Sequence, residues 1–441
     1  MGISRSRNVL TKQERIAMLA KQSPAMCFTS LNHHIDLDWL REAFRQTRKD
    51  GAVGVDGQTW AEYEVELDAN LASLLTRAKS GNYFAPPVRR AYIPKGNGET
   101  RPIGIPCLED KILQRAVVML LEPIYEQDFL DCSYGFRPKR SQHIAIEALW
   151  KQISSIGGGW ILEIDIRKFF DTLDKAKLRE LIEQRVGDGV IKRLIGKWLN
   201  AGVMESGSIT FSESGSPQGG VISPLASNVY LHYVLDQWFE MVVKPILRGQ
   251  ASMVRFADDA VLVFSDETDA RSVMAALHKR FEKYGLSLHP DKTRIIAFRR
   301  PSARTSESAC NDKLETFDFL GFTHYWGKSR KGRLSLKRKT AKDRQARAIK
   351  KITEWCRKHR HSSLQDQHKE LSSKLRGHYQ YYGITGNKMC LQKFQWATKC
   401  TWRKWLNRRS QRGRMTWLKF ELLLKRYPLP KAWIPHSVFI T

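Results

Sequence analysis

Two adjacent aspartates set between runs of β-formers constrain this chain more than any other feature. In "MVRFADDAVLVF", residues 253–264, apolar runs flank Asp258 and Asp259, and two acids between strand-formers mark a tight hairpin turn. A second strand reads from "WILEIDIRKFF", residues 160–170, where Leu162, Ile164 and Ile166 alternate with Glu163, Asp165 and Arg167. One face of it is buried and the other carries charge. Taken singly, each acid is as readily a solvated strand residue or an ordinary turn. Together, three carboxylates sit beside the side chains of a packed sheet, where an unpaired acid is costly. They need a counter-charge. Mg²⁺ is held through one or two carboxylates and completes its shell with phosphates, and two such ions about 4 Å apart serve phosphoryl transfer.

Charge shows where a polyanion would be met. The 441 residues hold 74 Lys and Arg against 45 Asp and Glu, a net +29. From Lys328 onward there are 31 bases and five acids, so +26 of that excess lies in the last quarter and the body is nearly neutral. Such a field attracts nucleic acid first and an anionic membrane surface second. At 42% hydrophobic residues the chain is too apolar to be disordered throughout, and its length suggests two or three folding units. Seven cysteines without a CxxC pair indicate neither a zinc ribbon nor a disulfide framework, and fit reduced thiols in a cytosol. The longest apolar run, Ala116 to Leu121, is far short of the roughly 18 residues of a membrane span, so no membrane partner is expected.

Along the chain, the first eighty residues read as helices and loops around the Gly51–Gly57 turn. The Pro- and Gly-punctuated stretch "YFAPPVRRAYIPKGNGETRPIGIP" suggests a hairpin. Helical spacing appears over 109–126 and again over about 172–186, with Leu173, Leu178, Leu181 and Ile182 on one side. Residues 301–313 form a candidate linker, and from about 328 long basic helices carry Trp355, Trp396, Trp402, Trp405 and Trp417.

The segments "DIRKFFD" (165–171), "SGSPQGGVISPLASNVYLH" (214–232) and "VRFADDAVLVF" (254–264) stand in the order and spacing of a reverse transcriptase palm. With "GVDG" (54–57), "IPKGNGETRPIGIP" (93–106) and "SYGFRPKRS" (133–141), the chain resembles the reverse transcriptases encoded within group II introns, from about residue 45 to the tail. The resemblance implies that Asp165 and Asp258 ligate two Mg²⁺ ions, with the Ile166 carbonyl assisting and Asp259 supporting. It implies that Phe170 is the steric gate against a 2′-hydroxyl, that Gln218 contacts nucleotide and template, and that Lys95 and Arg101 grip the triphosphate. Lys292 matches the lysine that protonates pyrophosphate, and "FDFLGF" (317–322) resembles the primer grip. Phe256 stands where the family usually has Tyr, a change in pocket polarity. The end near Thr441, without the paired Cys and His of an HNH endonuclease, leads us to expect no second-strand cleavage from this chain.

In the tail, aromatics interleave with bases in "HYQYYGITGN" (378–387) and "WATKCTWRKWLNRRSQRGRMTW" (396–417). Such rings stack unpaired bases while Arg403, Lys404, Arg408, Arg409, Arg412 and Arg414 meet phosphate. The plainer reading makes Trp402 and Trp405, three apart on a helix, core residues. The expected whole is an α/β right-hand polymerase. It comprises an N-terminal extension and start of the fingers (1–90), fingers and an antiparallel palm (91–325), and a basic α-helical thumb and maturase region (326–441). The expected function is RNA-directed DNA synthesis with splicing help for a host intron, in a bacterial cytoplasm. The expected partners are group II intron RNA, RNA template, DNA primer or target, and dNTPs, and a homodimer is compatible with the sequence. Two rivals are a splicing-only maturase and a host-adopted enzyme of repair or phage defence.

Overall fold

The computed structural model describes residues 2–94, 100–205, 207–211, 219–301, 315–329, 332–410 and 414–436. Lys95, Gln218 and Arg412 lie outside these residues, as does nearly all of the 301–313 linker, and Phe170 is described by its backbone alone. Two compact units result, Met1–Ala145 with Ile161–Ile295, and Ile146–Trp160 with Ile296–Thr441.

In the first unit, helices α1 (Gly2–Gln22), α2 (Leu37–Gln46), α3 (Trp60–Val65) and α4 (Leu67–Ser80) are delimited by local chemistry. Asp36 accepts the Trp39 amide at 2.9 Å, Thr59 and Glu62 form a capping box, and Gly81 at φ 86° follows α4. Strands β1 (Val88–Pro94) and β2 (Thr100–Ile105) form the expected hairpin, with Ile93 opposite Arg101. Helix α5 (Leu108–Asp128) is apolar on almost every side and is buried accordingly, with α1 and α2 packed on it. Helix α6 (Gln142–Ile156) follows, and from Ile146 on it belongs to the second unit.

Strand β3 (Trp160–Asp165) ends five residues before its sequence pattern does. The segment after Leu286 takes over its pairing: the His289 amide donates to the Asp165 carbonyl at 2.8 Å and the Arg167 amide to the Ser287 carbonyl at 2.9 Å. Lys168 then turns the chain at φ 46° into α7 (Phe169–Thr172). The helix expected from 172 starts at Lys175 because Asp174 caps it, accepting the Ala176 and Lys177 amides at 2.9 and 3.1 Å. This is α8 (Lys175–Glu183), and it buries Leu178, Leu181 and Ile182 as the periodicity requires.

Helix α9 (Gly189–Leu199), strands β4 (Val203–Glu205) and β5 (Ser208–Thr210), and helix α10 (Ser223–Leu231) come next. Helix α10 continues as π-helical turns through His232–Asp236 and Trp238–Val243. Strands β6 (Ala251–Phe256) and β7 (Asp259–Phe264), helix α11 (Glu267–Lys283) and strand β8 (Arg294–Ala297) complete the set. Two four-stranded sheets result, in the orders β2-β1-β4-β5 and β6-β7-β3-β8.

In the second unit, "FDFLGF" folds as a hairpin between β9 (Phe317–Phe319) and β10 (Phe322–Lys328), its two turn residues Leu320 and Gly321 at φ 48° and 80°. Strand β11 (Leu334–Thr340) completes a three-stranded sheet, and α12 (Lys342–Lys358), α13 (Leu364–Tyr382), α14 (Lys388–Leu406) and α15 (Trp417–Arg426) follow. Their shared core includes Leu371, Leu375, Leu391, Phe394, Trp402 and Phe420. Trp402 is buried, and its indole donates to Gln367 Oε1 at 2.8 Å; Trp405 packs against the same core. The tyrosines of "HYQYY" serve packing as well: Tyr379 is buried, and Tyr381 and Tyr382 lie against Phe322.

Two histidines make this unit acid-sensitive. His324 stacks on Phe317 with neither ring nitrogen bonded, and burial with Arg338 nearby lowers its pKa to about 3. Burial lowers that of His378, stacked on Phe394, to about 4. Both stay neutral in the fold while the unfolded chain protonates near 6.5, so the unfolded state binds more protons between pH 6.5 and about 4. Stability is therefore lost as pH falls through that window, by about 1.4 kcal/mol per pH unit for each histidine. His324→Phe is expected to make the decline shallower in urea titrations at pH 7, 5.5 and 4.5.

Candidate active site and nucleic-acid interface

Because β7 lies between β6 and β3, the turn that joins β6 to β7 and the end of β3 belong to adjoining strands. Asp165 closes β3, Asp258 sits in the two-residue turn after Phe256, and exposed Asp259 opens β7 opposite Phe256. The Asp258 carboxyl is pushed above the usual carboxylate range, first by burial and then by the negative charge of Asp165, while Arg101 on β2 and Arg255 on β6 pull it down. Two acids and the hairpin arginine thus share one electrostatic neighbourhood. Among the described residues no group of three or more His, Cys, Asp or Glu has metal-holding spacing, so the convergence seen is that of a pair.

Lys292 Nζ lies 3.0 Å from Asp165 Oδ2, and Arg294 Nε lies 2.6 Å from Glu163 Oε2, so the charged face of β3 carries two ion pairs. Lys292 is 60% exposed, and an ion pair that open to water is worth roughly 0–1 kcal/mol. It yields readily to a stronger partner of Asp165. Ile166 is buried and bridges Leu288, beside the point where His289 binds the Asp165 carbonyl.

The end of the "SPQGG" motif is fastened from two sides. A Cβ on Gly219, at φ 121°, would lie 2.6 Å from the Gly104 carbonyl of β2, so this glycine admits no side chain. The Ile222 amide donates to Gln114 Oε1 of α5 at 3.3 Å. Gln114, Asp110, Trp198, Gly220 and Ser223 line a cavity of about 20 Å³. Burial, with Asp56 adding, raises the Asp110 carboxyl to about 7, and the Tyr83 hydroxyl donates to it while the Trp198 indole donates to Tyr83 at 3.1 Å. Neither Asp110 nor Arg255 could be found by motif: one is a first-turn helix acid, the other a strand base, and only burial sets them apart.

In the second unit the basic residues divide by role. Lys404, Arg408 and Arg414 are exposed. Arg409 instead donates to the Arg360 carbonyl and, at 2.6 Å, to the Ser362 carbonyl, and burial lowers its pKa. Arg403 donates to the Met415 carbonyl at 3.0 Å and lies 4.2 Å from the centre of the Trp417 ring. Trp396 and Trp417 stack in parallel, centroids 5.6 Å apart at 4°, and both stay open to solvent at 59% and 40%. An exposed indole pair with the Arg403 guanidinium over one ring is a surface on which a nucleobase can lie.

Coupled carboxylates on adjoining strands, with an arginine-bearing hairpin inside their field, are an arrangement compatible with a template-directed polymerase. Residues 93–324, just over half of the chain, match the family described as reverse transcriptase (RNA-dependent DNA polymerase), and the chain belongs to that family. It is similar to protein YkfC of Escherichia coli (strain K12), 35% identical over an alignment of 325 positions that covers 64% of this chain and 83% of YkfC. It is also similar to the group II intron-encoded protein LtrA of Lactococcus lactis subsp. cremoris, 42% identical over 166 residues, 37% of this chain and 27% of LtrA. A third relative is nuclear intron maturase 2, mitochondrial, of Arabidopsis thaliana, 28% identical over an alignment of 186 positions that covers 33% of this chain and 25% of that protein. The chain thus matches about a quarter of the length of the two intron-named relatives.

Proposed function

We propose that this chain copies RNA into DNA, binds a group II intron RNA and assists its splicing, working among nucleic acids in a bacterial cytoplasm. The single observation that carries the polymerase half is the pairing of Asp165 with Asp258 inside the field of Arg101. A carboxyl lifted by burial and by a like charge marks a place short of positive charge, and its donors are all oxygen, which suits Mg²⁺. Asp165 and Asp258 would hold two such ions, with the Ile166 carbonyl and Asp259 in support. When bound, the ions supply the charge that favours attack of a primer hydroxyl on the α-phosphate of a dNTP and departure of pyrophosphate.

The chain's own residues do the rest. Arg101, and Lys95 by the family resemblance, grip the triphosphate. Gln218 contacts nucleotide and template, and Phe170 excludes the 2′-hydroxyl. Lys292, loosely tied to Asp165, would give a proton to pyrophosphate. In this reading residues 1–90 are an N-terminal extension and the start of the fingers, 91–325 the fingers and palm, and 326–441 the thumb and maturase region.

The intron half is supported by the +26 tail and by the likeness to LtrA and the Arabidopsis maturase. Extension of a DNA primer on an RNA template with and without Mg²⁺, and splicing of a flanking group II intron at low Mg²⁺, test the two halves separately. No DNA synthesis with splicing rescue would leave a maturase only. Trp396→Ala is expected to weaken binding of a looped RNA by about 5- to 100-fold, the value of one stacked base, in a filter-binding titration.

A further inference from the structure

Beneath the turn that carries Asp258, one guanidinium has a partner for each of its five N–H groups. Arg255, next to last in β6, is fully buried. Its Nε donates to Asp236 Oδ1 at 2.7 Å, and its Nη2 to Asp236 Oδ2 at 2.5 Å and Ser133 Oγ at 2.7 Å. Its Nη1 donates to Asn228 Oδ1 at 3.1 Å and to the Ala257 carbonyl at 2.9 Å. Asp236, equally buried, reaches it from the π-helical continuation of α10, an irregularity that recurs at functional sites.

The same residues hold the turn from a second direction. The Arg255 amide donates to the Cys132 carbonyl at 2.7 Å and the Tyr134 amide to the Arg255 carbonyl at 2.9 Å, so residues 132–134 run beside β6. Asn228 Nδ2 donates to the Gly135 carbonyl at 2.7 Å. A Cβ on Gly135 would lie 2.3 Å from the Ala257 nitrogen, so the chain there abuts the turn directly. Ala257 itself has φ 57°, a left-handed conformation that a side chain adopts only where its surroundings impose it. Stability alone does not explain a buried ion pair at this place, because well-packed apolar side chains would serve stability as well. What the fork supplies, and an apolar side chain cannot, is a fixed carbonyl at Ala257.

We propose that Arg255, locked by Asp236 and Asn228, is the positioning residue of the acidic turn: it holds the Ala257 carbonyl and through it orients the Asp258 carboxylate. The proposal rests on Asp258 being a working acid of the polymerase. Arg255→Lys in the full chain keeps the charge and removes the fork. It is expected to lower kcat for primer extension about 100-fold with the dNTP KM and the RNA Kd each within about twofold of the parent. Amide hydrogen exchange in a peptide spanning 251–264 should rise about tenfold, and peptides from β3 and α5 should not change.

Asn228→Ser, which removes one acceptor and the tie to Gly135, should give the same pattern at about tenfold in kcat, and it decides the matter should Arg255→Lys not fold. A kcat within threefold of the parent in the variant that folds, or exchange rising throughout the sheet together with changed KM and Kd, overturns the proposal. Asp258→Asn in the same assays separates the two levels. An active Asp258→Asn removes the reading of the acid itself, whereas an inactive Asp258→Asn beside a parent-like Arg255→Lys removes only the clamp.

Discussion

Asp258→Asn is expected to abolish DNA synthesis, by about 1,000-fold or more in primer extension, while leaving RNA affinity and folding intact. The size follows from what the carboxylate does: losing several kcal/mol of charge stabilisation at a transferring phosphoryl group is roughly three decades in rate. The stability side has the opposite sign. In the fold this carboxyl is held above its ordinary pKa by burial and by Asp165, so its ionised form is a liability at neutral pH that an amide does not carry. The variant should therefore unfold at the same urea concentration as the parent at pH 7, or a higher one, and no loss of activity can be assigned to unfolding. RNA binding is expected to persist because the acids belong to one compact unit and the basic helices to the other. A variant that extends primers at more than a tenth of the parent rate would remove Asp258 from the proposed chemistry, and one that loses both activities would show that the two units do not act separately.

The parts of this site legible in the sequence are those whose chemistry is local. Asp258 and Asp259 between β-formers announce a turn, and a turn is there one residue earlier, at Ala257 and Asp258, because Asp259 already pairs with Phe256 as the first residue of β7. The hairpin at 88–105 and the central helix at 108–128 follow from Pro-Gly punctuation and 3.6-residue spacing in the same way. What the sequence withholds is set by partners distant along the chain. The end of β3 pairs with Ser287 and His289, and Lys168 at φ 46° then turns the chain into α7; nothing in "IRKFF" announces either. Arg255 reads as an ordinary charged strand residue until Asp236 meets it from a π-helical turn. Tyr381 and Tyr382 read as a stacking surface from their spacing among bases, but they are half-buried with Phe322 against them, and the more exposed pair of rings is Trp396 and Trp417.

The second large effect is expected in the salt dependence of RNA binding, and it separates bases that meet phosphate from bases that hold the fold. Each phosphate contact to a single strand contributes about 0.7 to the slope of log K against log salt, so replacing Lys404, Arg408 and Arg414 together by Ala should lower that slope by about 2. At roughly 0.15 M salt the same loss is on the order of 10- to 100-fold in affinity, nearly uniform across RNA sequences, because these three exposed cations meet a backbone and not base edges. Arg409 is the internal contrast. Its guanidinium is engaged with the carbonyls of Arg360 and Ser362, which bridge the end of α12 to the start of α13. Arg409→Ala should therefore leave those carbonyls only their bonds from Gln367 Nε2, at 3.3 and 3.0 Å, and lower the urea midpoint, with the slope altered by less than half a unit. Titrations of one RNA at four salt concentrations, with urea melts of both variants, read the two outcomes together. A triple variant with the parent slope would place the phosphate-binding surface elsewhere among the tail's bases, and an Arg409→Ala slope lowered by a full contact would make that residue part of the surface.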